Sequence, residues 1–259
     1  MSVASCRASS AERGLLMVAS QPASFGFDPG DLVLRRAGER FHSRLDWLDS
    51  WHSFSFADHY DPAWMGFGPL RVINDDTIAA GCGFGMHPHR DMEIITVMVE
   101  GELEHRDSLG HSERLQAGEV QRMSAGAGVV HSEMNSSDQP CRLLQIWIEP
   151  ERRGTPPAYE QKPFTIGSDW TLLLDPDRSV EAMAIQRPVR LWRARPAAGE
   201  RLSLPLQSGR AGWLQLIDGA LAAPLPLQRG DGVGFRPGIA LPDLVVAESG
   251  ADLLLFELA

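Results

Sequence analysis

Two short segments of this chain gather the residue types that bind and activate ligands. The first is Gly81-x5-His87-Pro88-His89-x3-Glu93. In an extended strand side chains alternate between faces, so positions 87, 89 and 93 share one face. The second is Gly126-Ala127-Gly128-Val129-Val130-His131-Ser132-Glu133-x-Asn135, in which His131 and Glu133 are again in phase. Two neighbouring strands would aim three imidazoles and a carboxylate at one point. Three neutral nitrogens and an anionic oxygen, with coordination positions to spare, suit a divalent first-row metal engaged in substrate chemistry. The spacing leaves open whether Glu93 or Glu133 is the ligand and which supports it from outside.

Other chemistries fit less well. Gly81, Gly83 and Gly85 resemble a phosphate loop only superficially, because no helical pattern follows them. A nucleophile at Ser132 or Ser124 needs a base and an oxyanion hole, and Ser132 alternates away from His131, so a serine nucleophile is disfavoured. All eight histidines fall at or before position 131: His42, His52, His59, His87, His89, His105, His111 and His131. A histidine-based site can only belong to the first half.

The elements that must position these residues read as strands. Short apolar runs such as Leu70 to Ile73, Glu93 to Val99 and Leu143 to Ile148 alternate with turn signals every 8–12 residues or so. No long amphipathic helix stands out, and 25 Gly with 18 Pro favour many turns. This pattern predicts an all-β sandwich or barrel. The proline-rich stretch 151–169 reads as a linker, after which strands resume over 170–259. The halves rhyme: a strand ending Glu100-Gly101-Glu102-Leu103 and then Ala117-Gly118-Glu119-Val120 is echoed by Asp218-Gly219-Ala220-Leu221 and Arg229-Gly230-Asp231-Gly232. That suggests a duplicated β-barrel with a metal site in the first copy, 31–150, and none in the second.

The 259 residues suffice for one large domain or two smaller ones, and 43% hydrophobic residues can bury a core. The net charge of −10, with no Lys/Arg-rich run, disfavours direct binding of nucleic acid or an anionic membrane. No apolar run reaches the roughly 18–20 residues of a spanning helix. Three cysteines without regular spacing do not form a secreted-type framework, which points to the cytosol. Residues 1–30, rich in Ser and Ala and without periodicity, are expected to be a disordered leader.

The two histidine segments resemble the paired motifs of the cupin superfamily. The departures are a Glu93-to-Gly101 interval one residue longer than usual, a Gly118-to-Gly126 interval two longer, and Gly126 where proline is common. These departures, with a glutamate two residues after the last histidine, are similar to the pirin family of bicupins. The match extends to Trp51-His52-Ser53-Phe54-Ser55-Phe56-Ala57-Asp58, to Leu70-Arg71-Val72-Ile73-Asn74-Asp75-Asp76 and to Glu104-His105-Arg106-Asp107-Ser108. It also includes Gln121-Arg122-Met123-Ser124-Ala125-Gly126 and Gln145-Ile146-Trp147-Ile148. The C-terminal part, ending Leu253-Leu254-Leu255-Phe256-Glu257-Leu258, is similar to the shorter second cupin of bacterial pirin-like quercetinases.

The resemblance implies two jelly-roll barrels in tandem, the second without a metal. It also implies one divalent metal, commonly Fe(II), held by His87, His89, His131 and Glu133, with Glu93 left outside. The implied activity is a quercetin 2,3-dioxygenase, which opens a flavonol ring with dioxygen and releases carbon monoxide. Glu133 would then be the base for the flavonol hydroxyl, with Met86 and Val129 in the pocket wall. A second implied role is an iron-dependent, redox-sensing regulator that binds a protein partner without turnover. A third is another cupin chemistry, such as a zinc isomerase, because cupins host many reactions.

Overall fold

The computed structural model describes residues 32–179, 181–239 and 241–259. The expected leader, residues 1–30, lies outside them. The described chain is nearly all strand, with 3-10 turns at Ala37–Glu39 and Pro62–Trp64. The strands are β1 (Leu32–Arg35), β2 (Phe41–Arg44), β3 (Leu48–His52), β4 (Leu70–Ile78), β5 (Gly83–His89), β6 (Glu93–Glu100) and β7 (Glu102–Asp107). They continue with β8 (Ser112–Gln116), β9 (Glu119–Ser124), β10 (Val129–Met134), β11 (Cys141–Ile148), β12 (Ala158–Pro163) and β13 (Thr171–Asp175). The remainder are β14 (Met183–Ala184), β15 (Arg190–Ala194), β16 (Arg201–Leu202), β17 (Ala211–Leu221), β18 (Leu227–Gln228), β19 (Gly232–Phe235) and β20 (Leu244–Leu258).

These build two cupin barrels, as the strand pattern predicts. The first pairs a four-stranded sheet, β5-β10-β7-β8, with a seven-stranded sheet, β12-β9-β6-β11-β4-β3-β2. The second is built on the path β1-β19-β17-β20-β15-β13-β14. Two strands cross the divisions expected from sequence. β1 belongs to the second barrel, where Leu32 pairs with Phe235 and Arg35 with Gly232. β12 lies inside the stretch 151–169 yet extends the first barrel, where Ala158 pairs with Ser124 and Pro163 with Glu119.

Strand β11 shows why its sequence is apolar on both faces. Leu144, Ile146 and Ile148 enter a core shared with Leu173, Leu191, Trp213, Leu254 and Phe256 of the second barrel. Cys141 and Leu143 turn inward and, with Leu48, Ile78, Met98, Leu103 and Leu115, form the floor of the first barrel. A strand buried on both faces reads as a continuous hydrophobic run.

The two barrels are also locked by charge. Arg142 on β11 donates from Nε and Nη2 to Asp75 of β4 at 2.8 and 3.0 Å. It reaches Asp218 on β17 with Nη1 at 2.8 Å and the Ile217 carbonyl with Nη2 at 3.0 Å. Its guanidinium is buried, so its loss removes both hydrogen-bond donors of the Asp75 carboxylate and leaves it only the longer contact with Arg40 at 3.7 Å. Arg142→Met should lower the unfolding free energy by about 3 kcal/mol, because breaking a buried pair leaves the Asp75 carboxylate buried without its hydrogen-bond donors. Urea unfolding measures it, and a loss under about 1 kcal/mol would contradict this account.

Candidate metal centre

The centre is set by the middle strand of the small sheet. Strand β10 lies between β5 and β7, with His131 opposite His87 on one side and Asp107 on the other. Glu133 lies opposite His105. A register irregularity with β5 falls between His131 and Glu133. Glycines at 126 and 128 bring the chain into β10. Gly126 has φ +46°, and a Cβ there would meet the Thr155 carbonyl oxygen at 2.1 Å. That contact excludes any side chain, so the departure from proline at 126 has a steric cause.

Facing this sheet is a continuous polar row. Across the seven-stranded sheet, His52 pairs with Asn74, Asn74 with Gln145, Gln145 with Thr96, Thr96 with Gln121 and Gln121 with Gln161. One level toward the mouth the row is apolar, from Val72 through Trp147 and Ile94 to Met123 and Tyr159. The polar row meets Glu133 inside the barrel. Gln145 Nε2 donates to Glu133 Oε2 at 2.7 Å, Gln121 Nε2 to Oε1 at 2.9 Å and the Thr96 hydroxyl to Oε1 at 3.2 Å. Burial pushes the Glu133 carboxyl up to about 7, against the pull of these donors.

His87, His89 and His131 converge, with one ring nitrogen from each lying within 4.8 Å of the others. Their ring centroids are 4.4 Å apart for His87 and His131, 4.8 Å for His87 and His89, and 4.9 Å for His89 and His131. Burial and the neighbouring rings hold His131 down at about 2 and His89 at about 4, so both rings are neutral. Neutral imidazoles are the form that binds metals. His87 Nδ1 lies 2.8 Å from the Gly85 carbonyl, which can only accept. In the neutral ring the proton is therefore on Nδ1, which leaves the Nε2 lone pair for a metal. His131 Nε2 is buried with no hydrogen-bond partner. A buried nitrogen acceptor without a donor is costly unless something else occupies its lone pair.

His131 also belongs to a second convergent set, with His105 and Glu133. The other three sequence-expected ligands thus surround His131, but Glu133 lies with His105 rather than with His87 and His89 in these groupings. Glu93 belongs to neither set. The turn at residues 90–92 separates β5 from β6 and breaks the strand alternation on which its phase with His89 rested. Its carboxylate instead accepts from Ser124 Oγ at 2.9 Å, which in turn accepts from Arg122 at 2.8 Å.

Val129 is buried with Ile94, Met123 and Ala125, whereas Met86 is exposed at the surface. Trp147 stands edge-on to His89 at 5.0 Å and to Phe56 at 5.4 Å. Sequence reasoning did not assign Trp147 to the site, because its alternation with Gln145 only becomes meaningful once β11 is known to line the barrel. Among the described residues, no helix is long and apolar enough to cross a membrane.

A family model described as Pirin matches residues 34–148, and one described as the quercetinase C-terminal cupin domain matches residues 172–258. The chain is 43% identical over 229 residues to the quercetin 2,3-dioxygenase of Escherichia coli K12, covering 88% of this chain and 98% of that protein. It is 39% identical over 218 residues to a pirin-like protein of Caulobacter vibrioides, covering 82% and 93%. The crystal structure of the E. coli bacterial pirin YhhW in complex with nickel(II) superposes with a TM-score of 0.82 at 42% identity, covering 88% of this chain and 98% of that one.

Proposed function

Because this chain belongs to the pirin family of bicupins, we propose that it is a quercetin 2,3-dioxygenase whose iron(II) is held by His87, His89, His131 and Glu133. Its substrates on this reading are a flavonol and dioxygen, and it works in the cytosol. The relatives bearing that activity in their names support the reading. The observation that carries it is the buried, partnerless Nε2 of His131 facing two further imidazoles. Three imidazole nitrogens and one carboxylate fit a first-row divalent ion, and a nickel(II) complex of a related pirin supports such a site. When bound, iron(II) supplies Lewis acidity toward a hydroxyl and redox chemistry toward dioxygen.

The protein's own groups do the rest. Glu133 accepts the proton of the flavonol 3-hydroxyl as a positioned general base. Gln121, Gln145 and Thr96 hold the carboxylate in place. Trp147 and Phe56 supply flat apolar surface beside His89.

The test is dioxygen uptake with quercetin by protein stripped of metal and reconstituted with iron(II) under anaerobic conditions. Stoichiometric uptake is expected, with loss of at least about 100-fold in His89→Ala. One tightly held iron per chain without uptake would overturn the enzymatic reading. It would favour a redox-sensing regulator that binds a protein partner.

A further inference from the structure

Behind His131, on the side away from His87 and His89, a second line of side chains leads to a buried carboxylate. His131 Nδ1 lies 3.5 Å from His105 Nδ1, and His105 Nε2 lies 3.3 Å from Asp107 Oδ2. The side chains of His105 and Asp107 are fully buried. The Asp107 carboxylate accepts from four donors in all: the backbone amides of Leu109 and His111 at 2.9 and 3.0 Å, His111 Nδ1 at 2.8 Å, and His105. Tyr159 is stacked between the two outer rings, 4.6 Å from His105 and 4.8 Å from His111. His105 can therefore not swing without breaking this stack, nor turn over without losing its contacts with Asp107 and His131.

The order of donors in this line has one consistent solution. A carboxylate can only accept, so the His105 proton is on Nε2. His105 Nδ1 is then an acceptor, and the Nδ1 of His131 facing it must be the donor. The remaining nitrogen of His131, Nε2, is left as a bare lone pair, and it is the buried atom without a partner. We propose that His105 and Asp107 are positioning residues that fix the proton of His131 on Nδ1 and so present Nε2 to the metal.

The proposal rests on the metal-centre reading above and deepens it. It also accounts for the second convergent set without a second ion, since His105 approaches His131 as its hydrogen-bond acceptor. Outer partners of a metal-binding histidine orient the ring and raise its basicity, and their loss typically costs about 10–100-fold in metal affinity.

The test uses the full chain reconstituted with cobalt(II), read by chelator competition and by proton NMR of hyperfine-shifted resonances. In Asp107→Asn the amide oxygen can still serve the Leu109 and His111 amides. Its NH2 then donates to His105 Nε2, which moves the His105 proton to Nδ1, facing the proton of His131. Cobalt affinity is expected to fall about 10–100-fold, and the buried, exchangeable His131 Nδ1 proton should lose its wild-type resonance. His105→Gln offers an amide oxygen to the same proton, so the His105→Gln/Asp107→Asn double variant should recover most of the affinity.

An Asp107→Asn protein with affinity within about twofold of wild type and an unchanged resonance would overturn the proposal. His105→Gln losing as much affinity as His89→Ala would also overturn it, in favour of His105 as a direct ligand. Should Asp107→Asn fail to fold, His105→Gln alone decides between those two roles. His89→Ala separates the levels: wild-type affinity in that variant defeats the metal-centre reading itself, whereas its loss with Asp107→Asn unaffected defeats only the positioning role.

Discussion

Glu133→Gln, compared with wild type at equal metal content, is expected to turn over quercetin about 10²–10⁴-fold more slowly, the usual contribution of a positioned base. The reason lies in how the carboxylate is held. Both of its oxygens accept, Oε1 from Gln121 and Thr96 and Oε2 from Gln145. A glutamine fills the same space with only one accepting atom. Its NH2 faces the NH2 of Gln121 or Gln145 unless that amide turns over, so the variant loses the base and disturbs the donors that hold it. Steady-state dioxygen uptake at matched metal loading measures the effect. Full turnover by a metal-loaded variant would sink the assignment of Glu133 as the base.

The second large effect concerns stability and comes from Asp76. This carboxyl is buried on β4, its partner is the Ser50 hydroxyl, and the Asp75 and Glu133 charges lie nearby. Burial first, then those like charges, push it from 3.8 up to about 7. Below about pH 3.8 both folded and unfolded chains carry the proton, and Asp76 adds no pH dependence. Between about 3.8 and 7 the unfolded chain has lost its proton while the folded one keeps it, so stability falls as pH rises. Above about 7 both are ionised and the loss is complete, on the order of 4 kcal/mol at about 1.4 kcal/mol per pH unit. Asp76→Asn keeps an acceptor for Ser50 and cannot ionise. It should therefore be more stable than wild type by on the order of 4 kcal/mol at pH 8, but by only about 1–2 kcal/mol at pH 5. Glu133 is present in both proteins, so its own titration cancels to first order. Urea unfolding at the two pH values is the measurement, and a difference independent of pH would refute the account.

The metal-centre candidates were readable from sequence because strand alternation is local. His87 and His89 sit two residues apart, as do His131 and Glu133, and each pair needs only an extended backbone to share a face. The same rule misled at Glu93, since three intervening residues include a turn that resets the phase. His105 and Asp107 have the same two-residue spacing and stood in a family motif, yet nothing local says that β7 flanks β10. The polar row from His52 to Gln161 spans six strands and is invisible without their register. The duplicated barrel was legible from turn spacing and from the rhyme between halves. The placements of β1 and β12 were not, because each depends on pairing with strands far away in sequence or hidden among prolines.

The position of β1 has a consequence for synthesis. Its partner residues, 232–235, are made about 200 residues later. Arg36 and the Ala37 amide, just after β1, likewise wait for Asp231, which they meet at 2.7 Å each. Chains fold from the N-terminus as they emerge, and long-range pairings are slow to form. The first described strand to leave the ribosome is thus among the last to be seated, and the first barrel must close while its own leading segment is still unattached. Translation of the second barrel returns to collect that segment, tying the seating of β1 to the synthesis of residues 232–235. A polypeptide released early, at residue 170 for example, would carry every residue of the metal centre and still expose β1 as an unpaired edge, a marker by which an unfinished copy differs from a finished one.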